Sequence, residues 1–130
     1  MALNILDVLN IKVNKTQKII NNFKLPCRQE IIQKNPLVIL DGAHNPDKIK
    51  NLVEFIHKQS YNKLYLILGF AEDKNTKQAL QKILPLADNL YLTRFLVPMR
   101  KAANLRDLYT QAKTIKKINI KIFHLAQQLL

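Results

Sequence analysis

The chain has 130 residues, 48% of them hydrophobic, and a formal charge of +12. That length suits one domain able to bury roughly two-thirds of its unfolded surface. No apolar run reaches the ~20 residues of a membrane span, no segment reads as a signal peptide, and the lone Cys27 excludes an internal disulfide or a cysteine-held zinc. A cytoplasmic protein is expected. The charge suggests nucleic acid, but 17 of the 21 basic residues are lysines and four are arginines, scattered without an arginine-rich arm or aromatic interleaving. A solvated lysine surface and an anionic small-molecule ligand are the preferred readings, and nucleic acid is disfavoured.

In chain order, residues 1–25 read as a helical leader, with Leu3, Ile5, Leu6, Leu9, Ile19, Ile20 and Phe23 near helical spacing and Pro26 as its stop. Arg28 to Ile32 alternates like a short strand, and Lys34-Asn35-Pro36 supplies a turn. Leu37 to Leu40 is a continuous β-prone run, the pattern of a strand covered on both faces. Pro46 to His57 predicts a helix with Ile49, Leu52, Val53 and Ile56 on one face. Lys63 to Leu68 is a second buried strand, Thr76 to Leu86 a second helix, Asn89 to Thr93 a third strand, Ala102 to Lys113 a third helix and Ile118 to Phe123 a last strand. Leu125 to Leu130 opens another helix. This alternation predicts an α/β fold: a three-layer, Rossmann-like, mostly parallel sheet with helices on both faces, after the leader and a hairpin-like first strand. The domain boundary is placed near residue 25, with 26–130 as the α/β unit.

The stretch Leu37–Ile56 concentrates the chemistry. In an open parallel sheet, ligands gather outside the carboxyl ends of the strands, where Asp41 falls. Gly42 can take positive φ and admit a ligand close to the backbone. Asn45 is a good N-cap and Pro46 a good first helical residue. His44 then stands beside free N–H groups and the positive end of a helix dipole, which suit an anion. The plainer alternatives are an aspartate that caps a turn and an ordinary surface histidine.

The string Asp41-Gly42-Ala43-His44-Asn45-Pro46 resembles the C-terminal-domain signature of the folylpolyglutamate and dihydrofolate synthases, members of the Mur ligase superfamily. Pro26-Cys27-Arg28 is similar to the family's Pro-Gly-Arg segment upstream. Leu68–Asn75 is similar to its strand and Asp-Lys-Asp loop, Ile83–Thr93 to the helix-to-strand passage, and Val97–Tyr109 to an arginine-opened helix. The resemblance implies an ATP-dependent ligase that joins glutamate to folate or dihydropteroate through an acyl phosphate. ATP and Mg would be held mainly by a central domain, of which residues 1–25 would be the tail. It implies Arg28 and Asp41 as ATP contacts and His44 as the catalytic residue near the reacting phosphate and incoming glutamate. It assigns Lys74 and Arg100, more weakly, to anionic substrate groups, and no residue here to a metal.

Several departures qualify that implication. Cys27 replaces the family glycine, and Asn75 the second loop acid. With only Gly42 and Gly69 present, a P-loop is excluded. The family's domain also continues past the last strand, so both ends look cut. The expectation is a chain inactive by itself, with an N-terminal ligase half as partner. The competing readings are a non-catalytic nucleotide- or partner-binding module and the equivalent domain of another Mur-type amide ligase.

Overall fold

The computed structural model describes residues 25–123, which fall into two units dividing between Asp41 and Gly42. The expected leader helix and the expected helix over 125–130 lie outside the described residues.

The first unit is a hairpin entered by a tight turn. Residues 26–29 form the turn, with Cys27 at φ 56° and Gln29 at φ 49°. Strand β1 (Glu30–Lys34) then pairs antiparallel with β2 (Leu37–Leu40). The register runs from Glu30 opposite Leu40 to Lys34 opposite Leu37, with an irregularity between Ile31 and Gln33. The strand starts two residues later than its alternating pattern suggested, because the turn takes up Arg28 and Gln29. The connection is Asn35-Pro36, whose peptide bond is cis. One expectation is corrected here. Leu37, Val38 and Leu40 are exposed at 37%, 37% and 44%, and the ladder partner of β2 is β1. An apolar run reports the capacity for burial, but not which neighbours cover it.

In the second unit, helix α1 (Pro46–His57) has the bounds its sequence predicted. The Asn45 side chain accepts from the Lys48 N–H at 2.9 Å, Pro46 opens the first turn, and Asp47 lies where the helix dipole favours an acid. Ile49 and Ile56 are buried, and Leu52 and Val53 pack beside them. Strand β3 (Tyr65–Leu68) leads to α2 (Thr76–Ile83), which tightens into a 3₁₀ turn over Leu84–Leu86. Pro85 cannot donate an α-helical hydrogen bond, so the helix ends earlier than its apolar pattern. Strand β4 (Asn89–Thr93), helix α3 (Leu105–Ile115) and strand β5 (Asn119–Phe123) complete the unit.

The strands form a parallel sheet in the order β3-β4-β5, with Leu66 beside Leu90 and Leu90 beside Ile120. Two successive right-handed crossovers advancing in the same direction place α2 and α3 on one face. The core is on that face. Leu90 and Leu92 of β4 are fully buried against Leu80, Ile83, Leu108 and Ala112, with Ile49 and Ile56 of α1 in the same cluster. The expected mixed α/β architecture with its parallel sheet is therefore present. A helical layer on the other face has no counterpart among the described residues: Ile67 is 70% exposed there, and Tyr91 and Phe123 meet at 5.7 Å between ring centroids.

Polar links hold the ends of the strands in place. The Leu64 N–H donates to Asp88 Oδ2 at 2.7 Å, while the Asp88 N–H donates to the Leu64 carbonyl at 2.9 Å. Lys116 Nζ donates to the carbonyls of Pro85 and Ala87. Thr76 Oγ1 donates to Gln111 Oε1, joining the start of α2 to α3. At Gly69, an added Cβ would stand 3.2 Å from the Thr93 carbonyl, so a side chain there would press on β4.

Candidate functional site

Of the five candidate residues, two belong to the first unit and three to the second. In the first, the Gln29 N–H donates to Asp41 Oδ2 at 2.7 Å. The turn carrying Arg28 is also held by Glu30, whose Oε2 accepts from the Cys27 N–H at 2.8 Å. Two carboxylates thus satisfy the backbone donors on either side of exposed Arg28. Cys27 adopts the left-handed conformation that a glycine takes without cost.

In the second unit, His44 precedes the cap of α1. Its Nδ1 lies 2.8 Å from the Gly42 carbonyl and its Nε2 lies 3.4 Å from Lys48 Nζ. A carbonyl only accepts and an ammonium only donates. The ring in this arrangement therefore carries its proton on Nδ1 and presents the Nε2 lone pair to Lys48. Gly42 lies outside the positive-φ region, so the freedom expected of it is not used.

Lys74 and Arg100 lie near one another through Asp73. Lys74 Nζ donates to Asp73 Oδ2, and the Lys74 hydrogen bond is the main reason the Asp73 carboxyl is held below its ordinary value, with Arg100 adding a weaker electrostatic pull. Lys74 is therefore not a lone loop cation. Asn75, where the family loop has an acid, accepts from the Gln78 N–H and caps α2. Among the described residues, no group of three or more His, Cys, Asp or Glu side chains is placed to hold a metal ion.

Arg100 also lines a cleft of about 890 Å³ at the carboxyl ends of the strands, together with Arg94, Lys101, Arg106 and Glu72. The bridge between Ala71 and Ala102, and the hydrogen bonds from the Glu72 N–H to the Lys101 carbonyl and from the Ala103 N–H to the Phe70 carbonyl, tie its wall to the loop after β3. His44 and Lys74 do not line it. Sequence reasoning singled out Arg100 and passed over Arg94 and Arg106. The available signal was that three of the four arginines lie within residues 94–106 of an otherwise lysine-rich chain.

A family model described as the Mur ligase, glutamate ligase domain matches residues 27–129, and the chain belongs to that family. Within it, the chain resembles the C-terminal domain of the folylpolyglutamate and dihydrofolate synthases. It is 32% identical over 95 residues to a dihydrofolate synthase/folylpolyglutamate synthase of Buchnera aphidicola subsp. Baizongia pistaciae, covering 69% of this chain and 22% of the relative. A Bacillus subtilis protein of the same description is 27% identical over 93 residues, covering 71% of this chain and 21% of its own length. The solved structure of E. coli FolC in complex with DHPP and ADP matches with a TM-score of 0.78 at 26% identity, covering 94% of this chain and 28% of that one. The chain thus spans about a fifth of the length of these two curated relatives. No helix among the described residues is long and apolar enough to cross a membrane.

Proposed function

We propose that the chain is the part of an ATP-dependent folate–glutamate ligase that closes over the nucleotide and helps place glutamate. The observation that carries this reading is the ordered motif turn: within the family match over 27–129, the His44 ring is oriented by the Gly42 carbonyl immediately before the cap of a well-formed helix. Arg28, presented on its pinned turn, is the contact for the nucleotide, and its guanidinium suits phosphate oxygens or stacking on a base. Asp41 sets that turn by accepting from the Gln29 N–H, and its carboxylate suits the ribose hydroxyls of the same nucleotide. ATP supplies the phosphoryl group that converts the acceptor carboxylate to an acyl phosphate. The glutamate amine then displaces phosphate, forming the amide and losing a proton. In this reading His44, whose Nε2 faces Lys48, handles that proton or steadies the phosphate.

The residues present do not fit the rest of the machinery. With two glycines there is no P-loop, and the described residues offer no magnesium cluster. The chain alone is therefore proposed to be inactive, with the phosphate grip, the metal and the acceptor site on an N-terminal half.

The test is ATP-dependent glutamate incorporation with this chain mixed with, or fused to, a P-loop half from a relative. Activity should require both parts. His44→Ala should then lower turnover by about a hundredfold or more while leaving the melting temperature unchanged. Turnover by the chain alone, or normal turnover in the His44→Ala variant, would reject the assignment.

A further inference from the structure

His44 and Lys48 stand four residues apart, and Lys48 Nζ lies 3.4 Å from His44 Nε2. The other ring nitrogen, Nδ1, is held by the Gly42 carbonyl at 2.8 Å. A carbonyl thus orients the imidazole, the imidazole faces an amine, and the lysine carrying that amine is exposed. This is the order of an orienting group, a base and a nucleophile. The contact is longer than a tight hydrogen bond, as such pairs often are before a substrate arrives. We propose that Lys48 is a modification site, whose ε-amine is acylated by small acyl phosphates from solution with His44 as the base. The donor is a free carboxylic–phosphoric anhydride, so the step needs no ATP, no folate and no second protein.

The Lys48 ammonium passes one proton to the His44 Nε2 lone pair. The freed amine attacks the acyl carbon, and the bond from that carbon to the phosphate oxygen breaks. Inorganic phosphate leaves with a second proton from the nitrogen, and the product is an amide. Three observations single out this lysine. The first is its partner, an imidazole, the side chain that takes up and releases a proton near neutral pH. Lys74 faces the Asp73 carboxylate, which is held below its ordinary value and is therefore a poor base. Lys116 is bound to two backbone carbonyls, and Lys113 stands over the Tyr109 ring. The second is local geometry. Pro46 opens the first helical turn, and the Asn45 side chain holds the Lys48 N–H at 2.9 Å. The backbone between base and nucleophile is therefore set before a donor arrives. The third is charge. The pair stands at the amino end of a 12-residue helix, where the dipole favours a phosphate. Asp47 is the acid of this turn, and Lys48 and Lys50 follow it. Acylation removes one of those positive charges and leaves an amide beside His44.

The test is incubation of the full chain with acetyl phosphate, with the acetylation rate at each lysine followed by peptide mass spectrometry. Lys48 should react about tenfold faster or more than Lys50 and Lys82, which are exposed on helices. His44→Ala and His44→Gln, neither able to take the proton, should each bring Lys48 within about twofold of those two. Denaturing urea should abolish the preference in the unaltered chain. Acetic anhydride, a donor without a phosphate, should favour Lys48 by less than about threefold. The proposal is overturned if Lys48 reacts no faster than Lys50, or if its preference survives in both His44 variants. Persistence in urea overturns it as well, since the preference would then belong to the local sequence and not to the folded pair. Equal preference with acetic anhydride overturns acyl phosphate as the donor class. None of these outcomes bears on the ligase assignment, which is read from glutamate incorporation.

Discussion

The backbone N–H of Gln29 donates to Oδ2 of Asp41 across the entrance to the hairpin, at 2.7 Å. The aspartate that opens the signature motif therefore also fixes the turn that presents Arg28. A hydrogen bond to a carboxylate contributes about 1.5–3 kcal/mol. Asp41→Ala should accelerate hydrogen exchange at the Gln29 amide by about tenfold or more, whereas Asp41→Asn keeps an acceptor and should recover most of the protection. Equal exchange in the two variants would show that the carboxylate does not hold this turn.

Cys27 stands at φ 56°. A residue with a Cβ is disfavoured there by roughly 1–2 kcal/mol. Cys27→Gly should stabilise the hairpin by about 1 kcal/mol despite the extra flexibility of the unfolded chain, and Cys27→Val should weaken it. Amide protection along Glu30–Leu40 reads both effects.

Asp73 should show a pH signature. Its carboxyl is held below its ordinary value first by the hydrogen bond from Lys74. A depressed folded value means that this contribution to stability is present above the unfolded value, near 3.8, and is lost as pH falls through the folded one. Lys74→Met should raise the Asp73 titration midpoint, followed by carboxyl NMR, toward the ordinary value. Because Asp73 is exposed, the melting temperature near neutral pH should scarcely change.

Leu90 lies fully buried at the centre of the sheet, in the same cluster as residues of all three helices. Leu90→Ala should cost about 2–5 kcal/mol in chemical denaturation. Ile67→Ala, on the open face of β3, should cost far less. Comparable losses would mean that the open face is covered in solution.

Asn104 caps α3 by accepting from the Arg106 N–H at 2.8 Å. Asn104→Ala should cost about 1 kcal/mol and loosen the cleft wall, which can be read as faster exchange at Ala103 and Leu108.

Much of this molecule could be read from residue order, because the signals are local. Asn45-Pro46 and the spacing of Ile49, Leu52, Val53 and Ile56 define α1 to its last residue, and the alternation in Asn89–Thr93 defines β4. The motif Asp41–Pro46 and the fractured pattern around it pointed to the family that the match over 27–129 then showed. Tertiary contacts decided the rest. Ala102 and Ala103 have helical propensity, but they bond to Ala71 and Phe70 and delay α3 to Leu105. Leu37–Leu40 reads as a covered strand and is instead an exposed hairpin arm, because burial depends on neighbours that a run of apolar letters does not name. Arg94, Arg100 and Arg106 come to line one cleft only when the loops after β3 and β4 are fastened together. Periodicity and capping act within a few residues, and so they survive in the one-dimensional chain. Convergence of charges is a property of distances in space, and only the folded structure sets those.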